Sequence, residues 1–142
     1  MKGEIAKENF LKGYNCCQAV VLAFKNEIGL PEETLKKLAI GFGGGLARQR
    51  LTCGAVSGMA LVLGALKSDG SDKGYIYSLI QKACEEFKAE TGSLICGELL
   101  SGEILKDKSP IPAERTAEYY KKRPCAELCY LAAEIAEKYI NQ

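Results

Sequence analysis

Apolar residues recur along this chain at helical spacing, and the alternation expected of a half-buried strand is not sustained anywhere. Residues 3–12 carry a short helical pattern that Gly13 stops. Asn15 then reads as an N-cap, and Gln18 three positions on completes a capping box. The helix it opens is expected to reach Ile28, with Ala19, Val20, Ala23, Phe24 and Ile28 on one stripe. Pro31 suits the first turn of the next helix, where Glu32 and Glu33 complement its positive end. That helix turns Leu35, Leu38, Ala39 and Phe42 inward and breaks at Gly43-Gly44-Gly45.

Thr52 is the expected N-cap of a helix running to about Leu66, apolar nearly all round, as suits a helix buried in a bundle. Gly54 and Gly58 lie one turn apart on it, small enough to let a second backbone approach. Ser71 or Asp72 opens a helix to Thr91 whose inner face is Ile76, Ile80, Ala83 and Phe87. A short helix over Leu94–Leu100 and a polar loop over 101–113 follow. Two last helices are expected near Ala113–Lys122 and Pro124–Ile140, the second with Leu128, Leu131, Ala132, Ile135, Ala136 and Tyr139 on its apolar side. The pattern predicts one all-α domain over residues 1–142, a compact bundle of six to eight helices with the Cys53 helix at its centre.

The balance of 19 basic and 18 acidic side chains, with no basic stripe, points away from nucleic acid. The longest apolar run, Cys53 to Leu66, is too short to cross a bilayer, and the first residues lack the apolar core of a signal peptide. The expected location is the cytoplasm. Seven cysteines and no histidine change the picture more. Without histidine there is no Cys-His pair, no Ser-His-Asp triad and no His-ligated zinc. An odd number of thiols in a reducing compartment argues for chemistry or metal rather than a disulfide framework.

Cys16 and Cys17 follow the Asn15 cap, Cys53 follows Thr52, Cys96 lies in the first turn of the short helix, and Cys125 follows Pro124. A helix start exposes unpaired N–H groups and partial positive charge, which favours a thiolate. Arg48 and Arg50 near Cys53, and Arg123 near Cys125, add to that expectation. Cys84 lies mid-helix and reads as packing, because a free thiol packs as a small hydrophobe. Cys129, one turn after Cys125, reads either as a second partner or as core. No Cys-x-x-Cys occurs, so a dithiol or a metal site must be assembled from distant helices. Two thiols meeting in space could cycle with a disulfide. Four could hold zinc or an iron–sulfur cluster. The glycine run lacks the Gly-Lys-Ser/Thr ending of a P-loop and reads as a flexible connection, with anion binding as a weaker alternative. No pair of carboxylates suits acid–base catalysis, and Tyr119-Tyr120-Lys121-Lys122 reads as an amphipathic helix end.

The segments GYNCCQAV (13–20), GFGGGLARQRLTCGAVSG (41–58), GSLICGELL (92–100) and RPCAEL (123–128), in that order, resemble the CGAxxG-containing redox-active protein family named C_GCAxxG_C_C. The resemblance covers nearly the whole chain and places the family's four cysteines on Cys16, Cys53, Cys96 and Cys125. It leaves Cys17, Cys84 and Cys129 as extras. It implies a small prokaryotic protein, often associated with transport genes, whose redox role is itself inferred from the cysteines.

Three expectations follow. The leading one is a thiol–disulfide oxidoreductase or sensor with an unknown redox partner. In it Cys53 attacks as thiolate, Cys16 or Cys96 resolves, and Cys125 completes a second pair. The second is a protein holding zinc or an iron–sulfur cluster on Cys16, Cys53, Cys96 and Cys125. The third is a structural or regulatory partner of a membrane transporter, with its thiols merely packed.

Overall fold

The structure is a computed structural model that describes residues 1–100, 104 and 107–142. Of the expected 101–113 loop, residues 101–103, 105 and 106 lie outside the described residues. The described elements are helical: α1 (Lys2–Leu11), α2 (Cys16–Ala23), α3 (Lys25–Ile28), α4 (Glu32–Ala39), a 3-10 turn (Ile40–Phe42), α5 (Gly54–Lys67), α6 (Lys73–Thr91), α7 (Cys96–Leu99), α8 (Ala117–Lys122) and α9 (Cys125–Ile140). Among the described residues the only strand-like pairing is an isolated antiparallel bridge between Thr52 and Ile95. The all-α reading holds.

The Asn15 capping box forms as expected, with the Asn15 side chain accepting from Gln18 N and the Gln18 side chain accepting from Asn15 N. The helix it opens is split. At Phe24 the backbone leaves helical geometry, and Phe24 N–H turns back to the Val21 carbonyl in a tighter 3-10 bond. This one break gives nine α-helices among the described residues where the pattern draws eight. Further shifts are local. Cys53 itself, rather than Thr52, occupies the N-cap position of α5, because Thr52 is held extended by its bridge to Ile95. That bridge also delays α7 to Cys96. Thr116 caps α8 by accepting from Tyr119 N, so the helix starts at Ala117 rather than Ala113. Leu38 is exposed rather than buried, since α4 turns only Leu35 and Ala39 fully inward before it tightens at Ile40.

The buried residues form one connected core. Its centre is shared. α5 packs against α2, α6 and α9, but α2 is the more enclosed, with every residue from Cys16 to Ala23 buried between α1, α4, α5 and α9. Gly54 and Gly58 make the α2–α5 approach possible. A Cβ at Gly54 would sit 3.1 Å from Cys16 Cβ, and one at Gly58 would sit 3.1 Å from the Cys17 carbonyl oxygen. The start of α5 is thereby pressed against the start of α2, and both carry cysteines.

Candidate functional site

Two local devices bring the thiols together. The first is the segment between the 3-10 turn and α5. Gly44, Gly45, Leu46, Ala47, Arg48 and Arg50 all have positive φ. For the four non-glycine residues this conformation costs about 1–2 kcal/mol each, so it must be held by its surroundings. Backbone bonds hold it: Ala47 N to Gly41 O at 2.9 Å, Arg48 N to Gly43 O at 3.0 Å, Arg50 N to Gly44 O at 3.1 Å and Leu51 N to Gly45 O at 2.9 Å. The chain then zips onto the segment before α7. Cys53 N donates to Leu94 O at 2.8 Å, Cys96 N to Leu51 O at 2.6 Å and Gly97 N to Arg50 O at 3.0 Å. Cys53 and Cys96, far apart in sequence, become neighbours. Gly45 packs against Cys96 because it has no side chain, a Cβ there falling 2.7 Å from Cys96 Cβ.

The second device is the packing of α9 on α2. The Cys125 and Cys129 thiols lie close enough to Cys16 for each to shift its ionisation. Cys129 Sγ also donates to the Cys16 carbonyl oxygen at 3.8 Å. Cys16, Cys53, Cys96 and Cys125 all line one small pocket, together with Gly44, Gly45, Arg50, Arg115, Tyr119 and Arg123. A water-sized molecule has about 50 Å³ to occupy there, room for only a few waters. Cys84 lies half-buried on α6 and outside this lining, and Cys17 is fully buried behind it. The four thiols that helix-start position and the family resemblance single out share the pocket. Cys129, left between partner and core, hydrogen-bonds to the Cys16 carbonyl oxygen from the fully buried side.

Ionisation runs against the expectation drawn from helix starts. Burial pushes Cys53 up to about 12, further than the Ala55 and Val56 N–H groups lower it, and neither makes a capping hydrogen bond to its sulfur. Burial likewise pushes Cys17 to about 12. The Cys125 thiol favours ionised Cys16, but Cys129 and burial outweigh it, and Cys16 ends well above the ordinary thiol value. Cys125 is raised by neighbouring Cys16 and by burial. Burial also raises Cys96, but there Arg50 opposes it as a hydrogen-bond donor and as a nearby charge, with help from Arg123. A thiol in apolar surroundings loses more from desolvation than a helix end returns.

The arginines are placed differently from the sequence expectation. Arg50 is buried, and its Nη1 lies 4.0 Å from Cys96 Sγ rather than beside Cys53. Its Nη2 donates to the Asp107 carbonyl oxygen at 2.8 Å. Arg48 turns away, paired with the Asp107 carboxylate at 3.0 Å. Arg123 does lie near Cys125 and lowers its pKa, and its guanidinium stacks 4.3 Å over the Tyr119 ring. Arg115 carried no signal in the sequence. It donates to the Phe10 and Tyr14 carbonyl oxygens at 3.0 and 2.9 Å and lies 4.3 Å over the Phe10 ring. Only the docking of the segment before α8 onto the end of α1 brings it to the pocket.

The thiols do not form a ready metal-ligand set. Among the described residues no three Cys, Asp or Glu side chains converge closely enough to hold one ion. The pocket joins thiols and guanidinium groups, an arrangement suited to thiol exchange beside negative charge.

Compared with known proteins, residues 14–139 match the model of the family described as putative redox-active protein (C_GCAxxG_C_C), and all four pocket cysteines fall inside the match. No curated protein and no solved structure matches the chain.

Proposed function

The chain belongs to the C_GCAxxG_C_C family, and from that premise we propose that it performs thiol–disulfide exchange with Cys16, Cys53, Cys96 and Cys125 in a reducing compartment such as the cytoplasm. One observation carries the proposal: these thiols, from four separate elements, line the same pocket. The attacking role passes from Cys53 to Cys96. Cys53 is 3% exposed and raised to about 12. Cys96 is the thiol that Arg50 touches, and the thiolate rather than the thiol is the nucleophile.

In the exchange, the Cys96 thiolate attacks one sulfur of a substrate disulfide and expels the first substrate thiolate. Cys53 loses its proton and attacks Cys96 in the mixed disulfide, expelling the second. The substrate disulfide gains two electrons and two protons, and Cys53 and Cys96 become a disulfide. Cys16 and Cys125, which line the same pocket, form the second pair that can pass electrons onward. No described helix is long and apolar enough to cross a membrane, so the transporter association implied by the resemblance takes the form of docking.

The test is native mass spectrometry of protein prepared without oxygen, repeated across a series of thiol–disulfide buffers. Stepwise, reversible loss of two hydrogens per bond is expected. A metal-free mass that never changes, or a mass that includes zinc or iron–sulfide, overturns the proposal.

A further inference from the structure

The thiol pocket opens onto a wider cleft, and the two share Asn15, Gly44, Arg50, Arg115, Tyr119 and Arg123. The cleft offers about 310 Å³ to water-sized molecules. No Asp or Glu is among the described residues that line either space. Three guanidinium groups from different parts of the chain therefore face a shared space with no acidic counterpart among the described residues of its walls. Arg48, which also lines the cleft, is already matched by Asp107.

Arg50 is the informative one. It is 5% exposed, and its Nε has no hydrogen-bond partner among the described residues. A buried charged donor without a partner is costly. Its described neighbours do not satisfy it: Nη2 donates to the Asp107 carbonyl oxygen, and the described partner of Nη1 is the weak acceptor Cys96 Sγ. The segment that carries Arg50 is in strained left-handed backbone, which persists where the surroundings impose it and clusters at ligand sites. Two helix starts reach the same pocket, those of α5 and α9, and neither has a side-chain cap. Both are long enough to present the positive end of a helix.

We infer that Arg50, Arg115 and Arg123 form an oxyanion-binding site at the mouth of the thiol pocket, selecting a carboxylate, phosphate or sulfate group. Planar guanidinium groups recognise such groups through paired N–H bonds. This deepens the exchange reading and rests on it for one point, that the bound anion is an anchor of the redox substrate. Binding itself needs no redox step. The anion has two sources, a free inorganic oxyanion or the carboxylate of a small organic disulfide.

The test begins with wild-type protein, fully reduced and without oxygen. Inorganic phosphate, sulfate and acetate are titrated by calorimetry against sodium chloride at equal ionic strength. Saturable binding beyond chloride is expected. Arg50→Gln and Arg123→Gln should each weaken it at least tenfold, and Arg50→Lys, which keeps the charge but not the fork, should fall between. Circular dichroism confirms that each variant is folded, and the partly exposed Arg123 variant keeps the test open if Arg50→Gln is not. Cys84→Ser, outside the lining of both spaces, should bind phosphate as wild type does. Competition then separates the sources. Glutathione disulfide, which carries carboxylates, should displace phosphate where uncharged hydroxyethyl disulfide does not if the anion belongs to the substrate. If neither displaces it, the site takes a free oxyanion and the inference stands in that form. Absence of saturable binding by every oxyanion, or unchanged binding in folded Arg50→Gln and Arg123→Gln, overturns the inference. Because phosphate cannot oxidise a thiol, failure of disulfide exchange leaves this result intact, and the reverse also holds.

Discussion

The guanidinium of Arg50 stands 4.0 Å from the sulfur of Cys96, and the Gly97 N–H bond to the Arg50 carbonyl locks the two segments together. The positive charge favours the Cys96 thiolate against burial, which disfavours it. In reduced protein at pH 8, Cys96 should be the first of the four pocket thiols to react with iodoacetamide. Arg50→Gln should slow that reaction several-fold, because it removes the charge while the desolvation remains. Peptide mapping at timed intervals measures both. Faster reaction at Cys53 than at Cys96 contradicts the assignment.

Cys16 and Cys125 are poised differently, both buried and lining the same pocket from α2 and α9. Mild oxidation should link them. Cys125→Ser should abolish that crosslink and direct any remaining one from Cys16 to Cys129, which hydrogen-bonds to the Cys16 carbonyl oxygen. Digestion under non-reducing conditions followed by mass spectrometry identifies the bonds, and a crosslink through Cys84 instead would be inconsistent with this geometry.

Stability should fall on the alkaline side. Cys17 and Cys53 titrate near 12 in the folded chain and near 9.0 when unfolded. A raised pKa stabilises the fold fully below the unfolded value, and that stabilisation is lost as pH rises from about 9 toward 12. By pH 10 each thiol should have cost on the order of 1 kcal/mol, because the unfolded chain ionises there and the folded one does not. Urea titrations at pH 7 and pH 10 measure the loss. In Cys17→Ala the difference between the two should shrink by about the contribution of one thiol.

Glycine positions should separate cleanly. Gly45 has φ of 74°, and a Cβ there meets Leu51 N at 2.6 Å and Cys96 Cβ at 2.7 Å. Gly45→Ala should destabilise the fold by about 2 kcal/mol or more, from the left-handed backbone and the overlap together. Gly64, inside α5, has open space where its Cβ would go. Gly64→Ala should stabilise by about 0.5–1 kcal/mol through helix propensity. Thermal melts of the two variants suffice, and equal shifts in the same direction would refute the contrast.

Much of the helical plan was readable along the chain because its causes are local. Asn15 with Gln18 makes a capping box wherever it occurs next to an apolar run, and Gly29 and Gly92 end helices in left-handed geometry because glycine alone adopts it without cost. The inner face of α6 was read correctly at Ile76, Ala83 and Phe87 for the same reason: spacing on one helix is enough. The break at Phe24 and the exposure of Leu38 were not readable, because both depend on what the neighbouring helices leave room for.

The site divides in the same way. The sequence by itself determined that cysteines stand in the first turns of α2, α7 and α9 and close to the start of α5, and that glycines at 54 and 58 would allow close packing. Only the tertiary structure decided that four of those thiols share one pocket, that Arg50 serves Cys96 instead of Cys53, and that Arg115 arrives from a segment with no motif. It also reversed the sign of the thiol shifts. A helix end is a property of neighbouring residues, whereas desolvation is the sum over everything packed around a sulfur, and in this core the second effect is larger.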